Sequence, residues 1–506
     1  MPDGLGWGRF LILEVRLRAR QRGLPLLLLG MVIVAALYLP PADATYLTLS
    51  VNGQRGAYDW AWVGLVTGVL GALAFSLAGF FLTGRAPQRD AAAGTLAMLN
   101  AAPVARVALL GARAAADMLL LWALWGVVLL GSVVVVAARG EAPGAPDLGA
   151  LLLPGVLIAF PVLALVAALG TLLDAVMPRA RLLRGAAGTL LWTALVGLSL
   201  SAPAPVPDLL GVREPLRQAT VALTGPVPAP FILAQSGVNV GVTTRTVPLT
   251  PRPWSGLTWT PAELAQRGLP LLLAAALIGM AALFDPRRGE GRARHAPRTV
   301  RDRRPWPLPA HPALRLALLD LRAALLGAPR WVPLAALGLA LAGLGAAVNP
   351  ATPVLALALI AGVPVAARVV FQDRASGTEA LLGTTARSGQ LPLLRTAAAL
   401  AALLLPVGGA ALTLLPTRPD LSGALVVAAL LGAALLLTLR DLRVGDAASE
   451  SLLFLAWYLG PFNHLGALDI LNPAHTVGAL ALCAALLAGH AARHWPRPSH
   501  APEVPA

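Results

Sequence analysis

The chain has 506 residues, 57% of them hydrophobic and only 12% charged, about half the roughly 25% charge of an ordinary soluble domain. That composition excludes a water-soluble globular protein, because apolar runs of nearly 20 residues recur along the whole length and match what a helix needs to cross a bilayer. The net charge of +15 comes from Arg alone, with no Lys in the chain, and the Arg residues cluster in alternate loops, as the positive-inside rule requires. The charge therefore reads as topology and not as nucleic-acid binding. The single cysteine, Cys483, leaves no intrachain disulfide and no thiolate metal cluster.

Taken in chain order, Arg9 to Arg22 forms a basic, amphipathic lead-in to the first apolar run. Ala42 to Ala44 after that run resembles a signal-peptidase site, but the run at Trp331–Val348 follows a similar lead-in and cannot be a leader, so the first is read as a retained span. Spans are expected at roughly 24–41, 60–83, 114–137, 149–172, 186–202 and 268–284, then at roughly 331–348, 352–370, 396–416, 421–439, 452–470 and 474–491. The fold class is all-α, a polytopic membrane protein of about twelve helices arranged as two parallel six-helix repeats. Residues 1–284 form the first half, with a long outer loop at 203–267. An Arg- and Pro-rich cytoplasmic linker follows at 285–310, and residues 311–506 form the second half. Arg counts place both termini in the cytoplasm of a multi-pass cell-membrane protein.

Each half opens on an acid two residues before an Arg, Glu14/Arg16 and Asp320/Arg322. These are expected on helices lying in the cytoplasmic interface, apolar face in lipid and Arg among anionic headgroups. Between the second and third spans of each half lies a polar segment with a shared pattern: Asp90, Gly94 and Thr95 in the first, Asp373, Gly377 and Thr378 in the second. Gly then Thr after a charged turn suits a helix start, with the hydroxyl as cap. Leu96, Leu99, Val104 and Val107 continue it as an apolar stripe, as do Leu381, Leu382, Leu391 and Leu393. Trp60, Trp62 and Tyr58 are expected in an aromatic belt, and Trp122 and Trp125 in bundle packing.

The pattern acid-x-x-x-Gly-Thr, a Leu-rich turn, Pro-Val-x-Arg and then a span resembles the type-2 family of ATP-binding-cassette export permeases. Asp90, Gly94, Thr95, Pro103, Val104 and Arg106 carry the resemblance in the first half; Asp373, Ser376, Gly377, Thr378 and Glu379 carry it in the second. It implies a permease subunit, not an enzyme, energised by a separate ATPase, two copies of which dock on loops 85–113 and 371–395. In that reading Asp90 and Asp373 meet donors on the partner. Ala386 replaces the second Pro, which implies unequal docking at the two sites. The chain itself has no phosphate loop, and without Lys it cannot have one; ATP and Mg would be held by the partner, with no cofactor here. Predicted span centres hold no charge, which disfavours the alternative of a gradient-driven or facilitative transporter. A third reading, an enzyme acting on a lipid-linked substrate, would use Asp43 or Asp59 as acids. His464, Asp469 and His475 have no metal-site spacing and read as interfacial polar residues.

Overall fold

The computed structural model describes residues 7–284 and 352–494, apart from 22, 42, 45, 84–85, 87–88, 91–93, 96–97, 100–103, 142–143, 178–180, 202–205, 228, 245–250, 377, 379–390, 458–459 and 462–468, together with Arg315, Leu318, Leu319 and Leu321. The chain divides into two compact units, Met1–Pro297 and Arg298–Ala506. The linker at 285–310, the seventh predicted span and the side chains of Asp320 and Arg322 lie outside the described residues.

The first unit runs α1 (Trp7–Ala19), α2 (Leu24–Tyr38), β1 (Tyr46–Val51), α3 (Trp60–Leu82), α4 (Arg106–Ala138), α5 (Leu148–Val176), α6 (Arg181–Ser201), α7 (Arg213–Thr224), β2 (Val238–Thr244) and α8 (Pro261–Phe284). Asp59 caps α3 by accepting from the Trp62 amide at 2.7 Å, and Asp147 caps α5 by accepting from Gly149 and Ala150. α3 is the hub: nearly every residue from Trp60 to Phe81 is buried. Its neighbours approach closely because Gly64, Gly68 and Gly71 leave room for the Ala150 carbonyl, Pro154 and the Trp125 ring, the small-residue solution to packing without a hydrophobic drive. Trp125 donates Nε1–H to the Thr67 carbonyl at 3.1 Å and stacks on Trp122.

At Gly155 the Trp125 ring also meets α5, where residues Gly155–Ala159 widen into a π turn. A Cβ on Gly155 would sit 2.0 Å from two Trp125 ring atoms. Gly155→Ala is expected to cost about 1–3 kcal/mol through overpacking, read as a lower unfolding midpoint; Gly126→Ala, where a Cβ meets nothing within 4 Å, is the control and should not lower it.

The expected aromatic belt is corrected. Tyr58, Trp60 and Trp62 are buried, with Trp62 edge-on to Trp254 at 5.7 Å and Tyr58 donating to the Pro40 carbonyl at 2.6 Å. They pack beside the segment 206–260, whose described residues include the helix α7 and the strand β2. β2 pairs antiparallel with β1, from Tyr46↔Thr244 to Val51↔Val238. Asp208 accepts from Ser199, Gly211 and Arg213, and so stitches α6 to α7.

The second unit contains α9 (Thr352–Ser376), α10 (Leu391–Leu404), α11 (Gly408–Leu414), α12 (Pro419–Asp441), α13 (Asp446–Trp457) and α14 (Thr476–His494). α12 is its buried centre, with Trp457 wedged against Gly432. The predicted ninth span is broken, bent by 73° between α10 and α11, where Pro406 removes a backbone donor.

Among the described residues, six helices are long and apolar enough to cross a membrane, or eight if the bent pairs α1–α2 and α10–α11 each count as one span. The protein is mostly helical, with one two-stranded sheet, and its apolar helices fit a membrane-embedded chain.

Candidate functional site

The two Asp-x-x-x-Gly-Thr segments share one backbone hydrogen bond, which follows a helical stretch in each unit. The Thr95 amide donates to the Asp90 carbonyl at 3.0 Å, and the Thr378 amide donates to the Asp373 carbonyl at 2.9 Å. A bond across six residues, with Gly94 at φ +70° in the fifth position, is a Schellman C-cap. Asp373 accordingly sits in the last turn of α9. Gly94 is required for its backbone, since a Cβ there would meet nothing within 4 Å. The Thr95 hydroxyl donates back to the Asp90 carbonyl at 3.3 Å. The Thr95 carbonyl instead accepts from the Leu99 amide and so starts a new turn. Pro103, Gly377, Glu379 and the Ser376 side chain lie outside the described residues.

The larger correction concerns the acids. Asp90 and Asp373 are buried, and both turn inward onto arginines of their own unit. Asp90 binds the Arg113 Nη2 of α4, while Asp373 receives Arg395 of α10 at 2.6 Å and Arg440 of α12 at 2.8 Å. Asp and the first Arg stand 23 residues apart in one unit and 22 in the other. The recurring unit is therefore an anchored turn: a C-cap fixes the backbone, and a buried ion pair bolts it to the following helix. Arg106 stands at the first turn of α4.

In the first unit the anchor extends to the lead-in helix. Glu14 accepts from Arg18 at 2.6 Å, from Arg89 at 2.8 Å and from Arg113 at 3.1 Å. Arg18 also donates to Asp117 at 2.7 Å. Three carboxylates (Glu14, Asp90, Asp117) thus face three guanidiniums (Arg18, Arg89, Arg113), and all but Arg89 are buried. Glu14 pairs with Arg18 and not with Arg16, because a side chain two residues on lies on another face of a helix and one four residues on lies on the same face. Arg16 is exposed beside the exposed apolar residues Ile12, Leu13 and Leu17.

Burial pushes the Glu14 carboxyl upward, but Arg89, Arg18 and Arg113 outweigh that and hold it below its ordinary value. A carboxyl with a lowered folded pKa contributes stability above its unfolded value of about 4.3 and loses it as pH falls toward the folded one. Unfolding midpoints measured from pH 6 down to pH 3 should fall for the natural chain, with a smaller acid-dependent part in Glu14→Gln.

Sequence reasoning missed Arg18, Arg113, Arg395 and Arg440. The first was legible as an i,i+4 partner and the next two as the matched Asp-to-Arg spacing; Arg440 carries no signal of its own. A second buried pair, Asp441 Oδ2 with His490 Nδ1 at 2.6 Å, joins α12 to α14. Among the described residues no group of three or more His, Cys, Asp or Glu could hold a metal ion. The His475 Nδ1 instead meets the Asp469 carbonyl at 3.0 Å, while His464 lies outside the described residues. Compared with family models, curated proteins and solved structures, the chain matches none.

Proposed function

We propose that the chain is the membrane permease subunit of an ATP-driven exporter, with a separate ATPase pushing on the two Gly-Thr turns. The observation that carries this reading is the repeated anchored turn, the same backbone bond and the same inward Asp–Arg pair in each unit. A turn free to flex would absorb a push; one tied by buried ions to the next helix passes it on. The sites of contact are then the exposed parts, Thr95 and the 74%-exposed Met98, and not Asp90 or Asp373. Such an exposed Met is suited to a protein interface.

In this reading the units are two parallel six-helix repeats, twelve spans in all, with both termini cytoplasmic and one ATPase copy for each turn. The exposed Arg9, Arg16 and Arg20 of α1 would meet anionic headgroups. Asp59 is spent as the cap of α3, which weighs against its use as the acid of a membrane enzyme.

Affinity purification of the full chain from its native membranes in mild detergent tests the proposal. A P-loop ATPase is expected to co-purify, and ATP hydrolysis should disappear when it is stripped away, since the chain has no Lys to hold phosphate. Hydrolysis that persists in the stringently purified chain would overturn it.

A further inference from the structure

The packing of the second unit leaves a cleft at depth. Ala479 and Cys483 of α14 share a core cluster with Val427, Leu431 and Ala434 of α12, and His490 pairs with Asp441 at the α12 end. α14 therefore begins beside the middle of α12, and the space near its first turns is not filled by helix. A cavity of about 570 Å³ lies there, lined by Leu431 and Leu435 of α12, Leu453 and Trp457 of α13, and Leu482 of α14, with His475 the ionisable side chain among the described lining residues.

Three occupants can be weighed. Water needs two to four polar partners and leaves apolar cavities dry, and this lining supplies almost none. Leaving a volume of this size empty forfeits contacts over its whole wall. A docked helix could enter by one turn only, since a turn about 10 Å wide and 5.4 Å in pitch takes about 420 Å³ and two exceed the cavity, and a single turn is too short to hold helical structure. A flexible alkyl chain fits. The bilayer can supply it, since α14 beside the cleft exposes Val477, Leu480 and Leu482, an apolar face that in a membrane meets hydrocarbon.

We propose that this cleft is a binding site for one alkyl chain of a membrane amphiphile, recognised by its tail. The site stands apart from the Gly-Thr turns and does not depend on the ATPase reading.

Gly478 offers the means of testing it. It lines the cavity, and a Cβ there meets nothing within 4 Å, so Gly478→Phe can fill the space without a clash at its base. The full-length chain in nanodiscs would be irradiated with diazirine probes, one arm carrying a labelled free fatty acid and the other a phosphatidylcholine labelled on one chain. Adducts would be mapped by peptide mass spectrometry. Adducts should concentrate on Leu431, Leu435 and Leu482 relative to the exposed Leu272 of α8, and the labelled arm identifies a free amphiphile or a bilayer lipid. Gly478→Phe should lower the cleft adducts about tenfold, the loss expected when only two methylene groups are denied burial, with Leu272 labelling unchanged. Adducts no more frequent than at Leu272 would overturn the proposal, as would adducts unmoved by Gly478→Phe in a protein whose unfolding midpoint is retained.

Discussion

Arg113→Ala is expected to destabilise the first unit by about 3–5 kcal/mol, the usual result of removing one partner from a buried ion pair. Arg113 is buried and holds both Asp90 and Glu14, so its loss takes from Asp90 its closest partner and from Glu14 one of three. The same logic predicts rescue. Replacing a whole buried ion group by neutral residues is often tolerated; Glu14→Gln and Asp90→Asn added to Arg113→Ala should therefore recover a large part of the loss. Unfolding of the three proteins in mixed detergent micelles measures both effects. A single mutant within about 1 kcal/mol of the natural chain, the level of an exposed pair, would show that the network does not anchor the turn.

The second large effect concerns association. Met98→Arg places a charge on an exposed apolar position beside the Gly94 turn, and exposed Met carries no packing whose loss would unfold the protein. If the turn seats an ATPase, affinity should drop about tenfold or more, as when a contact at an interface centre is lost, while the unfolding midpoint stays put. Arg16→Glu, on the outward face of α1, should change headgroup contact and leave ATPase affinity alone. The pair separates partner docking from membrane placement.

Much of the helical layout was legible because apolar runs of bilayer length have few alternative uses. Boundaries failed where a local feature intervened. The ninth span broke at Pro406, and α13 begins at Asp446, six residues before the apolar run, because polar Ser449, Glu450 and Ser451 are buried there. The two-stranded sheet was not legible at all: β1 and β2 pair across more than half of the first unit, and no local periodicity reports such a partner. The Asp-x-x-x-Gly-Thr segments were legible as a recurring pattern, but the inward ion pairs of their acids were not. Gly followed by Thr serves as a helix stop as readily as a helix start, and the choice depends on the φ of Gly94, which sequence does not contain. Asp90 read as exposed because its stretch is polar, yet its partner Arg113 lies 23 residues on, beyond any window of helical spacing.

The most direct test of the account is a photo-crosslinker placed at position 98 in the full-length chain, irradiated in native membranes. The account predicts a crosslink to a polypeptide that contains a phosphate loop, abolished by Arg113→Ala once the turn is unbolted and unaffected by Arg16→Glu. Crosslinks confined to lipid or to the chain itself, in membranes that carry out ATP-dependent export through this protein, would contradict it.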